Sequence, residues 1–204
     1  MCPNDGGPHY DMSFYFATNS RIAEAEAERL REIDPIRAEP LNSEAIINYH
    51  LRNYVKLTDV CRSYTAVFPN GWVAHYWLGV GLEGSGRPVE AIREYQRAVE
   101  LAEGDSDATA SLAYAYARTG NTAEAQKILN TFLEQSKTIY VSPYMIATVY
   151  AGLANKDKAF EYLEKAYQER SPDLPYFLRA DLRMDTLRSD PRFEDLLRRM
   201  NFPK

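Results

Sequence analysis

The chain has little of what site-bearing sequences usually display. It holds two cysteines and three histidines in 204 residues. Cys2 and Cys61 cannot build a disulfide framework, so a reducing, cytoplasmic setting is the expectation. His9, His50 and His75 share no metal-ligand spacing, and neither Cys-x-x-Cys nor His-Glu-x-x-His occurs. No metal and no cofactor are therefore expected. Apolar runs of the ~18 residues that a membrane span needs are missing. Ser13–Ala17 is too short, and lacks the basic flank, for a secretory leader. Positive charge is in deficit: 24 Lys and Arg against 29 Asp and Glu leave a net charge of −5. That balance argues against nucleic acid as a partner. A chain of this length makes one domain or one short array and buries about 70% of its unfolded surface. Residues 1–19 are expected to be disordered, most of all Met1–His9 with its two prolines and two glycines.

What the chain does have is repetition. Ala91, Ala125 and Ala159 stand 34 residues apart, the period of a helix–turn–helix repeat. Three repeats follow from that register: 72–105, 106–139 and 140–173. Gly79, Ala113 and Ala147 share one small position, where two antiparallel helices must approach closely. Leu78, Leu112 and Ile146 precede it, and Tyr95, Leu129 and Leu163 fill the space beside the contact. Ala98, Phe132 and Ala166 share another position, where the large Phe132 predicts a wider gap between the second and third repeats. Gly84, Gly86, Gly120 and Gly152 with Asn155 fall at the turns inside each repeat, and Pro88 suits the first position of a helix. Pro35 and Pro69 extend the register backwards. A partial repeat at 20–35, with a helix Ile22–Ile33, and a degenerate repeat at 36–71 are expected. The latter has a clear helix Leu57–Phe68 and a weak one near Ser43–Asn53.

This pattern resembles the tetratricopeptide repeat family. The stretches Tyr140–Tyr144, Lys156–Phe160, Tyr167–Ser171 and Arg188–Met200 are further similar to the C-terminal tetratricopeptide tail of bacterial regulatory proteins. In that group the tail follows a winged-helix, Ser/Thr kinase or cyclase-like domain. The array starts in mid-repeat, which suggests a fragment or a chain that lost an upstream partner domain. The resemblance implies an all-α superhelix of stacked helix pairs. Residues 174–204 break the period, and Pro191 after Asp190 with Phe193, Leu196, Leu197 and Met200 on one face reads as a capping helix.

Gly79-x-Gly81-x-x-Gly84 matches a dinucleotide fingerprint, but that motif needs a strand before it, and here it falls inside a helix. Packing is the simpler role for these glycines. His75 holds a packing position, so a satisfied, part-buried imidazole is expected. The arginines of the tail alternate with Asp181, Asp185, Asp190, Glu194 and Asp195, a pattern of local ion pairs.

The resemblance also implies where binding occurs. The concave wall of such an array takes Tyr76, Val80, Tyr114, Arg118, Tyr144 and Thr148 from successive first helices. Tyrosines with one arginine are typical interface anchors. The carboxylate clamp of chaperone-tail binders is excluded, because Tyr76 and Val80 replace its Lys and Asn. The expected function is a non-catalytic scaffold or adaptor that binds a peptide or protein segment, with self-association into a homo-oligomer left open. The alternative is a regulatory domain that senses a small molecule or peptide for a transcription factor or kinase.

Overall fold

The computed structural model describes residues 38–102 and 106–201, and all of its regular structure is helical. The segment 1–19, the helix Ile22–Ile33, the partial repeat 20–35 and Glu103 lie outside the described residues. Helices pair in order along the chain. They are α1 (Ala38–His50) with α2 (Tyr54–Val67), α3 (Trp72–Gly84) with α4 (Pro88–Leu101), α5 (Ser106–Arg118) with α6 (Thr122–Gln135), and α7 (Pro143–Gly152) with α8 (Lys156–Gln168). The weak first helix of the first pair is thus present, beginning before Ser43 and ending at His50. The first helices of each pair neighbour one another and form a wall. The architecture is an all-α solenoid of stacked helix–turn–helix units.

Local chemistry sets the turns. Arg52, Gly86, Gly120 and Ala154, each 34 residues from the next, all take positive φ: 54°, 75°, 91° and 59°. A left-handed residue ends the first helix of every pair, and glycine fills it without steric strain at only two of the four. Asn53 and Asn155 then cap the following helices, accepting from Lys56 N at 3.3 Å and Lys158 N at 3.2 Å.

Packing explains the glycines. A Cβ on Gly79 would stand 2.5 Å from the Tyr95 ring, and one on Gly81 would stand 2.7 Å from Thr58 Oγ1. One on Gly84 would strike the Tyr54 ring. The apparent dinucleotide motif is three helix-contact sites. Ala91, Ala98, Ala113, Ala125, Ala159 and Ala166 are fully buried, as the register requires. His75 is part-buried and satisfied, with Nδ1 2.7 Å from Glu94 Oε2 and Nε2 3.0 Å from the Pro69 carbonyl. Phe132 is buried, and α7 packs chiefly on α5 and α8 and touches α6 only lightly, so the second and third repeats meet mainly through their first helices.

The second helices are amphipathic. In α4 the face Ala91, Tyr95, Ala98 is buried, and the opposite side meets solvent. The first helices differ. Every residue from Tyr76 to Leu82 of α3 and from Pro143 to Val149 of α7 is buried. A helix buried all round is covered on both sides. One cover is the second helices, and the other is the C-terminal segment.

That segment is α9 (Asp173–Phe177), a tight helical turn Leu182–Met184, and α10 (Pro191–Arg199). The trailing helix α10 caps α8. Phe193 and Leu196 are buried, while Leu197 is half-buried. The Arg199 guanidinium lies 4.7 Å from the Tyr167 ring centre and pairs with Glu164. Arg192 lies 4.2 Å from the Phe160 ring centre and reaches Asp157 Oδ1 at 2.9 Å. Asp190 caps α10, accepting from Arg192 N at 3.0 Å. Within the tail, Arg183–Asp181, Arg188–Asp185, Arg192–Asp190 and Arg198–Asp195 are local ion pairs, while Arg192 and Arg199 also reach across to α8.

Candidate functional site

The wall of first helices brings the sequence-expected groove residues to one side of the array, but not into solvent. Tyr76, Val80, Tyr114, Tyr144 and Thr148 are all buried, and only Arg118 is exposed. An unoccupied binding wall would instead present these side chains to water. The physical reason for the difference is the stretch between α9 and α10. It folds back along the wall instead of serving only as a link to the cap.

The segment touches the wall from end to end. The Phe177 ring stacks on Tyr144 of α7 and meets Tyr49 of α1 edge-on, with ring centres 6.1 and 6.0 Å apart. Tyr176 packs edge-on against His50. Arg52, in the left-handed turn after α1, holds the exposed Asp185, with Nη1 at 2.9 Å from Oδ1. Leu174, Leu178, Met184 and Leu187 are buried beneath it. The sequence carries a signal of this. A span with Leu174, Phe177, Leu178, Leu182 and Leu187 is too apolar for a solvated linker.

At its centre lies a buried ion pair. Asp181 is 0% and Arg183 is 3% exposed. Asp181 accepts from Arg183 Nε at 2.8 Å and from the Arg183 backbone N–H at 2.9 Å. Tyr144 donates its hydroxyl to Asp181 Oδ2 at 2.7 Å. Arg183 Nη1 donates to Ser111 Oγ of α5 at 2.5 Å. The Ser111 hydroxyl in turn donates to the Asp107 carbonyl at 2.8 Å. Both charges come from the segment, and the wall answers them with neutral hydroxyls. Burial works against the Arg183 charge, but the adjacent Asp181 outweighs it and holds the guanidinium firmly protonated. Burial raises the Tyr144, Tyr76 and Tyr49 hydroxyls well above the usual tyrosine range, so all three stay neutral.

Towards the C-terminal ends of α3 and α5 the wall is more open. Tyr95 donates its hydroxyl to Glu83 Oε2 at 2.9 Å. Burial pushes the half-buried Glu83 carboxyl up to about 7, against the pull of Arg183, the Tyr95 hydrogen bond and Arg118. Tyr114 lies against Gly152, where a Cβ would stand 2.9 Å from its ring. Tyr114 is therefore a packing residue of the seam between α5 and α7. Arg118 sits at the rim of this region.

Among the described residues no group of three or more His, Cys, Asp or Glu side chains could hold a metal ion. Among them, too, no helix is long and apolar enough to cross a membrane. Burial pushes the Cys61 thiol far above its usual range, so it packs as an apolar side chain.

Stacked helix pairs of this period, with small residues at each crossing, define a helical-repeat scaffold. Two tetratricopeptide-repeat family models match, one at residues 82–141 and one at 144–171. Over residues 82–141 and 144–171 the chain thus resembles tetratricopeptide repeats. Human protein O-mannosyl-transferase TMTC1 is 29% identical over 96 residues, 47% of this chain and 11% of that protein. The chain thus spans a small part of that relative. The crystal structure of YrrB, described as a TPR protein with an unusual peptide-binding site, shares the fold. It superposes with a TM-score of 0.50 at 23% identity, covering 84% of this chain and 90% of that one.

Proposed function

We propose that this array is a non-catalytic scaffold or adaptor that binds a peptide or protein segment along its wall of first helices. One observation carries the reading: the wall already holds a stretch of polypeptide through aromatic stacking and side-chain hydrogen bonds. A surface that receives its own chain in this way has the shape and donors to receive another. YrrB, built on the same stacked architecture, is described as having a peptide-binding site. Tyr76, Val80, Tyr144 and Thr148 supply the floor, Tyr114 the seam between helices, and Arg118 the rim. The regulatory form of this reading, in which an attached output domain senses groove occupancy, gains support from the resident segment. A groove with an occupant of its own has two states to report.

The test begins with capture of partners from host lysate on the immobilised chain, identified by mass spectrometry. The bound region is then mapped with overlapping peptides. Its affinity is measured for wild type and for Tyr144→Phe with Arg118→Ala. Loss of a true anchor weakens binding by at least about 2 kcal/mol. A mapped peptide that binds both proteins equally would move the site to another face.

A further inference from the structure

The chemistry of the resident segment specifies what the groove selects. Phe177, Asp181 and Arg183 are among the residues by which it meets the first helices, through Tyr49, Tyr144 and Ser111. At those contacts the wall offers hydroxyls and aromatic faces, and the Glu83 carboxyl of α3 lies within electrostatic reach of Arg183. A ligand bringing a lone carboxylate would bury it without a counter-charge, and one bringing a lone cation would rely on Glu83, whose own ionisation burial opposes; both are unfavourable. A ligand bringing both, two residues apart, neutralises itself before it docks. The fork of the guanidinium also matters. Arg183 reaches Asp181 through both Nε and Nη2 while Nη1 reaches Ser111, three directions that a lysine ammonium cannot reproduce in one plane.

We propose that the groove recognises a self-neutralised peptide motif, an aromatic residue followed by Asp four residues later and Arg two residues after that, and that residues 177–183 are a resident copy which a partner bearing this motif replaces. This deepens the peptide-binding reading and rests on it. Replacement is an exchange of like for like: the incoming aromatic ring, carboxylate and guanidinium remake each contact that the segment gives up. Tethering favours the resident copy, since a linked segment acts at an effective concentration of roughly millimolar. A partner motif must therefore be abundant, bivalent or locally concentrated to displace it. Arg52 and Asp185 form an exposed latch beside the motif, where release can begin without first exposing the buried pair.

The experiment uses a dye-labelled synthetic peptide with the sequence of residues 173–188, titrated against the full chain by fluorescence anisotropy. The second protein is the full chain with Asp181→Ala and Arg183→Ala together, which empties the motif without stranding one charge. Circular dichroism checks that it is folded. The double variant is expected to bind the peptide at least tenfold more tightly than wild type. Peptides with the single changes Asp→Asn, Arg→Lys or Phe→Ala should each bind at least tenfold more weakly than the parent. Should the double variant not fold, Arg52→Ala, which opens only the latch, replaces it with the same expectation in smaller degree. Adding Tyr144→Phe on the groove side should reverse the gain in either background. Equal binding by wild type and the released variants, or undiminished binding of the single-charge peptides, would overturn the proposal. If captured partners bind through Tyr144 and Arg118 yet lack the motif and do not compete with this peptide, the proposal fails while the peptide-binding reading stands.

Discussion

The buried pair Asp181–Arg183 permits a sharp thermodynamic test. Arg183→Ala leaves a carboxylate at 0% exposure with only the Tyr144 hydroxyl and one backbone N–H as partners. Stranding a buried charge typically costs about 3–5 kcal/mol. Asp181→Ala strands the guanidinium, 3% exposed, with only the Ser111 hydroxyl among its side-chain partners from the wall. The same range applies. The double variant strands no charge. It loses hydrogen bonds at two neutral hydroxyls, at about 1–3 kcal/mol for each left unsatisfied. The double change should therefore cost about as much as either single one, far less than their sum. The coupling energy should be about 2 kcal/mol or more in favour of the pair. Chemical denaturation of the four proteins closes the cycle. Thermal midpoints should fall by roughly 6–20 °C in the singles, at about 2–4 °C per kcal/mol for a chain of this size. Additive singles would refute the reasoning, because two independent costs cannot come from one shared pair.

Three further outcomes follow from local geometry. Gly79→Ala puts a Cβ against the fully buried Tyr95 ring, and overpacking of this kind should cost about 1–3 kcal/mol by denaturant midpoint. Ala154→Gly relieves a left-handed alanine at φ 59°, at the position that Gly86 and Gly120 occupy in other repeats. A gain of up to about 1 kcal/mol is expected by the same measurement, and a loss would contradict the strain argument. Glu83, held up to about 7 by burial, binds its proton more tightly when folded than when unfolded. Its contribution is fully present below the ordinary carboxylate range and is lost as pH rises to about 7. Stability should fall by about 2–3 kcal/mol across that window, and Glu83→Gln should remove this component from the pH profile of the denaturation midpoint.

The repeat was legible in the sequence because its cause is local and periodic. A close helix crossing needs a small residue, and Gly79, Ala113 and Ala147 recur at the spacing that meets this need. The left-handed turn was half legible: glycine marks it at Gly86 and Gly120, whereas Arg52 and Ala154 hide it, because neither residue type advertises positive φ. Without a glycine at Arg52, the end of α1 reads near Asn53 in the sequence, whereas the helix stops at His50. The wall residues were also legible, since the register places Tyr76 and Tyr144 at one position and Val80, Tyr114 and Thr148 one turn on. Their burial was not. It depends on contacts such as Arg183 to Ser111, which join residues 72 positions apart and leave no periodic trace.

The position of the charges separates two accounts of why the groove is filled. If the segment served only to close the array, apolar side chains would suffice, and a fully buried ion pair would be an expensive way to cover tyrosines. Leu174, Leu178, Met184 and Leu187 already perform that covering. Asp181 and Arg183 add geometry instead, for the pair fits only where Tyr144 and Ser111 present their hydroxyls together on adjacent first helices. A one-residue slip would bring Leu182 or Met184 to that spot and leave the Tyr144 hydroxyl buried without its acceptor. The pair thus fixes the register of the segment on the wall. The determinant that fixes register for a resident segment is the same one a competing segment must present.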